Sequence, residues 1–309
     1  DKIAISNLLF EGNDDGASAV INGSAGPTNT TITDNEFRNY SNPVISLTLA
    51  DSSGDEDKTT IESNILTTGI SDTAIEIDPS ELSDNGDSVS VRNNDITLDA
   101  NAAQAGIYLN SDGSGYTAQV TLENNAIEGG ENTVNGIEAA NNDNAGDIDI
   151  IGGTINATDT GALINHGSTF LNITNAEVTQ SATNATTIDA STDARISGLT
   201  VDGAQTAGVS VLASGTSFEI DDTSINNTEY GVSLEGGGAD SENVTNSEIT
   251  NAGTAGLYIK AQGAERFVHF NTFSSNELAI DVEDMDGDAG YLTFNDIVDN
   301  TNGLDVASQ

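Results

Sequence analysis

The feature that most constrains this chain is a phrase that recurs from one end to the other. An aliphatic residue is followed three positions later by Asn in the cleanest copies, then by an apolar residue, and later by a small residue, an aliphatic, any residue and an aliphatic. The first aliphatic falls at Ile32, Ile61, Val91, Leu122, Ile150, Ile173, Ile196, Ile220, Val244, Val268 and Leu292. Successive steps are 29, 30, 31 and 28 residues, then 23 or 24 for the rest of the chain. Self-similarity at a period of this size is the mark of a solenoid, in which each repeat buries its apolar face against its neighbours.

The second half of the phrase supplies an independent register. It reads Ala74-Ile75-Glu76-Ile77, Gly106-Ile107-Tyr108-Leu109, Gly208-Val209-Ser210-Val211, Gly231-Val232-Ser233-Leu234, Gly256-Leu257-Tyr258-Ile259, Ala279-Ile280-Asp281-Val282 and Gly303-Leu304-Asp305-Val306. Alternation of this kind predicts strands with one buried face. No stretch recurs at 3.6 residues over a helical length.

Composition by itself points to disorder, with 50 acidic residues against 7 basic ones and only 36% apolar content. A disordered chain has no reason to hold its aliphatics in phase, so the periodicity outweighs the composition. There is no Cys, hence no disulfide or thiol chemistry. No segment reaches the roughly 18 consecutive apolar residues of a membrane-spanning helix, and no signal-peptide pattern opens the chain.

The formal charge of -43 bears on habitat and partners. Only Lys2, Lys58, Lys260, Arg38, Arg92, Arg195 and Arg266 oppose it. Nucleic acid and anionic membranes are excluded as partners, because both require basic contacts. At molar salt the screening length falls to about 3 Å and the self-repulsion fades. Scarce Lys with abundant Asp, Glu, Thr, Ala and Val resembles the proteins of halophilic archaea.

The residues also carry a family resemblance. Asn35, Asn64, Asn94 and Asn125 recur at one turn on four successive coils, and Asn271 and Asn295 on two more. In this the chain resembles the right-handed parallel β-helix repeat proteins, the fold of the pectate-lyase-like superfamily, over about Ile3 to Val306. The resemblance implies an inward ladder of Asn side chains that satisfies the backbone inside a bend, where Asn tolerates left-handed conformations. The slot is filled instead by Gly153, Ala176, Leu199, Thr223 and Ser247 in the middle of the chain, which predicts a different bend there.

The expected fold is thus all-β, a single-stranded right-handed parallel β-helix of about 12 coils with 23–31 residues per coil. Residues 1–309 form one continuous body, with wide coils and longer loops over 1–149 and regular coils of 23–24 residues over 150–309. A left-handed β-helix would need shorter hexapeptide coils, and tandem β-sandwiches would not repeat at this period. Both ends lack a cap, so the chain is expected to be part of a larger protein or assembly, with other copies or flanking domains as partners.

The superfamily contains polysaccharide lyases and hydrolases, so an active site has to be sought. The basic residues are too few and scattered for the lyase type. The polygalacturonase order is reversed, since Asn165-His166-Gly167 precedes Asp221-Asp222. Following the repeat brings His269 and Arg266 near Asp281 and Asp305, an acid/base cluster whose plain reading is ordinary outward residues; no catalytic residue and no cofactor is assigned.

Asp284, Asp286 and Asp288 form the most calcium-like segment, with alternate carboxylates around a Gly, though without the distal Glu of an EF-hand. Asn22, Asn29, Asn39, Asn156, Asn172, Asn184, Asn226 and Asn243 open Asn-x-Ser/Thr acceptor patterns for glycosylation. Loops over 51–57, 78–87, 110–115 and 141–146 gather on one side as a ridge or an acidic fringe. The leading expectation is a non-catalytic extracellular rod or stalk at a halophile cell surface or in a filament, about 55–60 Å long at 4.8 Å per coil. A carbohydrate-binding or carbohydrate-cleaving β-helix, including a tailspike, and a calcium-dependent adhesin module are the alternatives.

Overall fold

A computed structural model describes residues 3–12, 20–23, 29–40, 43–49, 57–67, 73–80, 82, 86–98, 104–110, 118–130, 135–140, 146–156, 158–165, 170–189, 193–212, 217–236, 241–260, 265–283 and 290–306. The described residues form three parallel sheets of twelve strands each. The first sheet runs from Ile3–Ser6 to Gly290–Thr293, the second from Leu9–Glu11 to Asp296–Val298, and the third from Ile21–Gly23 to Asn302–Val306. Every third strand pairs with the next of its kind, so the chain winds as a parallel β-helix without a described helix.

The sequence period is the register of the first sheet. Ile32 pairs with Ile61, Val91 with Leu122, Ile150 with Ile173, Ile220 with Val244 and Val268 with Leu292. In the third sheet Ile75 pairs with Ile107, Val209 with Val232 and Ile280 with Leu304. Inward side chains of all three sheets merge into one apolar column, in which Ile32, Ile61, Leu66, Ile75 and Ile107 are fully buried. At roughly 1.5–3 kcal/mol for each fully buried Val, Leu, Ile or Phe side chain, such a column offsets the low overall apolar content.

The small residue of the phrase is a steric requirement. A Cβ built on Gly136 would lie 2.3 Å from Cγ2 of Ile155 and 2.7 Å from the carbonyl oxygen of Gly161. Where the third sheet begins, the main chain of one coil runs against the inward apolar column of the second sheet, Ile127, Ile155, Val178, Ile225, Ile249 and Phe273. The same crowding recurs at Gly106, Gly161, Gly208, Gly231 and Gly256.

Between the first and second sheets the chain turns sharply through a residue with positive φ. Asp34, Ser63, Asn93 and Asn124 occupy this position at φ of 51–55°. The left-handed residue is therefore the one before the ladder Asn, which corrects the expectation that the ladder Asn itself adopts that conformation. Coils in the middle of the chain meet the same need with Gly152 and Gly198 as well as with Asn175 and Asp222.

Candidate functional site

Inside that first corner the Asn side chains link coil to coil. Both the main-chain N–H and the side-chain Nδ2 of Asn35 donate to Asn64 Oδ1 at 3.0 Å. Asn64 donates in the same way to Asn94, and Asn94 to Asn125. The second hydrogen of Nδ2 caps a buried carbonyl: Asn64 reaches Ile32 at 2.9 Å and Asn94 reaches Ile61 at 3.0 Å. Asn271 and Asn295 repeat the arrangement, and Ser247 and Thr223 extend it through hydroxyl and main-chain links. A second ladder, Asn276 with Asn300, lines the corner before the third sheet and escaped the sequence reading. Its signal was present, as two Asn residues 24 apart.

The acid/base cluster drawn from the sequence does not assemble. His269 lies on the outer side of the first sheet, whereas Asp281 and Asp305 pair on the third. Arg266 is neither outward nor close to them: it is 3% exposed and its Nε donates to Glu242 Oε2 at 2.5 Å. The reason is strand parity. Arg266 stands two residues before the inward Val268, and the register sets it on Glu242 of the previous coil. A step of 24 residues between opposite charges was the overlooked clue.

The remaining paired bases are also engaged with acids. Arg92 binds Glu62 at 3.0 Å across a coil boundary, Arg195 lies 3.5 Å from Glu219, Lys260 lies 4.0 Å from Glu283, and Arg38 Nε donates to Glu36 at 2.6 Å. Exposed pairs of this kind contribute little stability. They do neutralise the cations that a lyase would need for an acidic sugar.

Two groups stand on the outer side of the third sheet. In the wide coils Tyr108 sits between Glu76 and Glu138 of the adjacent coils. Asn110 donates to Glu76 at 3.2 Å and Asn135 to Glu138 at 2.8 Å. Burial, reinforced by Glu138 and Glu76, raises the Tyr108 phenol above its ordinary range, so it stays a hydrogen-bond donor.

In the narrow coils Tyr258 donates to Glu283 at 2.7 Å and lies beside Tyr230, with ring centroids 5.2 Å apart. Burial and then the bond to Glu283 push the Tyr258 phenol up. Asp281, next to Tyr258 in register, is also raised, by burial first and then by Glu283 and Asp305. Asp221 on the first sheet shifts the other way, because Thr245 at 2.7 Å and Asn246 at 2.8 Å donate to its carboxylate.

An open depression of about 330 Å³ on the first sheet is lined by Phe170, Asp193, Arg195, Glu219 and Asn243, among others. The calcium-like Asp284, Asp286 and Asp288 lie outside the described residues, as does most of the proposed loop ridge; no cluster of metal-ligating side chains occurs among the described residues. Of the glycosylation acceptors, Asn156 donates to Glu128, Asn172 to Asp149, Asn184 to Thr187 and Asn226 to Asp202, which ties their amides into the sheet surface. Asn29 and Asn243 are half-buried, while Asn22 and Asn39 are exposed.

Residues 184–309 match the family model described as right handed beta helix region. None of the curated proteins compared matches the chain in sequence. Among solved structures, the catalytic unit of a thermostable GH87 alpha-1,3-glucanase from Streptomyces thermodiastaticus strain HF3-3 superposes with a TM-score of 0.59 at 12% identity. The alignment covers 98% of this chain and 63% of that one, so the chain spans less than two thirds of that unit. At this identity the likeness establishes the fold.

Proposed function

We propose that this right-handed parallel β-helix, with the fold of the pectate-lyase-like superfamily, is a non-catalytic extracellular shaft of a cell-surface or filament protein in a high-salt habitat. One observation carries the reading: three sheets of twelve strands continue through the described coils without an interruption, each strand tied to the next by main-chain pairing. Such a body resists bending and presents a repeating acidic surface. The charge of -43 suits concentrated salt, where screening acts over about 3 Å. Immunogold labelling of intact native cells with an antibody against the chain tests the proposal; label confined to the cell interior overturns it.

A second reading is favoured by the third sheet. Glu76 and Glu138 stand two coils apart across Tyr108, roughly 9.6 Å at coil spacing, near the upper end of the carboxylate separation used by inverting glycosidases. The fold neighbour is the catalytic unit of an alpha-1,3-glucanase. In this reading the outer side of the third sheet binds or cleaves a neutral polysaccharide. Release of reducing sugar from neutral glucans at high salt, lost in Glu138→Gln, would establish it in place of the shaft.

A further inference from the structure

The corner before the third sheet gives one inward position to each coil. Strand pairing and the bonds across the corner align Ser181, Ala204, Thr228, Ala252, Asn276 and Asn300 along it. The two Asn residues show what this position supplies. Oδ1 of Asn276 accepts the Ala252 N–H at 2.8 Å, and its Nδ2 donates to the Ile249 carbonyl at 3.1 Å. Asn300 serves the Asn276 N–H and the Phe273 carbonyl in the same way, at 2.8 and 2.7 Å. Each amide thus satisfies one donor and one acceptor of the coil before it.

Earlier coils have the same main chain and shorter side chains. In register, Ala252 stands where an amide would meet the Thr228 N–H and the Ile225 carbonyl, and Ala204 where one would meet the Ser181 N–H and the Val178 carbonyl. A methyl group can bond to neither. Ser181, Ala204, Thr228 and Ala252 are all buried, at 1%, 0%, 5% and 2% exposure. The hydroxyls of Ser181 and Thr228 lie in the same file, and neither has a partner among the described residues. Their main-chain N–H groups likewise meet no acceptor among the described residues. Buried polar groups in folded proteins are nearly always paired, with protein or with ordered water.

We propose that one buried water molecule binds over each of Ala204 and Ala252, in the place that an amide takes on the later coils. Its oxygen accepts the N–H of Ser181 or Thr228, as Oδ1 of Asn276 accepts that of Ala252. One hydrogen goes to the carbonyl of Val178 or Ile225, as Nδ2 of Asn276 goes to that of Ile249. The third partner is the hydroxyl of Ser181 or Thr228, one coil before the alanine. Three bonds are the usual number for an internal water, and its share of liquid volume, about 30 Å³, is close to that of the amide an alanine lacks. The partners are uncharged and mix donors with acceptors, which suits water and not an ion. The corner is then a mixed ladder, with waters and amides doing one job on different coils. The inference does not rest on the shaft reading, since it concerns the interior alone.

A high-resolution crystal structure of residues 1–309, with thermal melts of two variants, tests the proposal. The wild type is expected to show one water over each alanine, about 2.7–3.2 Å from the main-chain N of Ser181 and of Thr228. Ala252→Asn carries the amide ladder one coil further. It is expected to displace the water over Ala252, to leave the one over Ala204, and to raise the melting temperature by about 1–3 °C as an immobilised water is released. Ala252→Val displaces the water without replacing its bonds, so it is expected to melt below the wild type.

A wild-type structure that is dry over both alanines overturns the proposal. A direct bond from the Ser181 and Thr228 hydroxyls to protein groups, which would leave nothing for a water to satisfy, does so as well. So does a melt in which Ala252→Val equals or exceeds Ala252→Asn, because the position would then favour apolar filling. Cell-surface labelling bears on none of these outcomes, so failure of the waters and failure of the shaft reading are told apart.

Discussion

The wide and narrow coils share one corner but fill it differently. In the wide coils Asn35 to Asn125 join through their amides, each spending its donors on the next coil and on a buried carbonyl. In the first three narrow coils the same slot holds Gly153, Ala176 and Leu199, which carry no hydrogen-bonding side chain, and Leu199 is fully buried; Thr223, Ser247, Asn271 and Asn295 bring polar side chains back further on. What persists is main-chain pairing. Ile65 bonds to the Asn35 carbonyl as Glu177 bonds to that of Gly153, each at 2.9–3.0 Å. The corner is therefore built by the backbone, and the amides reinforce it. Interior polarity moves instead to a charged pair, Glu242 with Arg266, in the narrow half.

Breaking that pair is the largest expected effect. Arg266→Met removes the guanidinium that bonds the buried Glu242 and is expected to cost about 3–5 kcal/mol, whereas Glu242→Leu with Arg266→Met together is expected to recover most of the loss. Denaturant unfolding at constant NaCl measures both; equal losses in the two would show that the charges act separately.

Next comes Asn94→Leu, which installs in the wide half the side chain that Leu199 supplies in the narrow one. It strands the Asn64 N–H and the Ile61 carbonyl, at about 1–3 kcal/mol each. If Asn94→Leu unfolds at the wild-type denaturant midpoint, filling alone suffices and the contrast between halves collapses.

A smaller loss, about 1–3 kcal/mol, is expected for Gly231→Ala, whose Cβ would lie 2.3 Å from Ile249 Cγ2 and 2.4 Å from the Gly256 carbonyl. Thermal melts of the variant and the wild type measure the loss.

The smallest effect separates two aspartates. Asp281 has a raised folded pKa, so its favourable contribution is present at acid pH and fades as pH rises through that value. Asp281→Asn is expected to stabilise the protein at neutral pH and low salt by less than about 1 kcal/mol, with the gain lost at multimolar NaCl. Asp221 has a lowered pKa, and its contribution is present above the ordinary carboxylate range and lost as pH falls through the folded value. Asp221→Asn is expected to destabilise at neutral pH, so melts of both variants across pH should tilt in opposite directions.

The fold was legible because Ile220, Val244 and Val268 keep step, and a parallel stack turns sequence period directly into register. The ladder from Asn35 to Asn125 was legible for the same reason. Arg266 was misjudged because charge was weighed before parity, although Val268 fixes which side of the strand faces inward. The Asp284, Asp286 and Asp288 segment lies outside the described residues.

Because bonds such as Asn271 to Asn295 join residues 24 apart, tension on the two termini meets the coils in series. The outermost coil peels first, and each release in the narrow half frees about 80 Å of slack, at roughly 3.4 Å per extended residue. A rod made this way lengthens under load in even increments, as a shock absorber does.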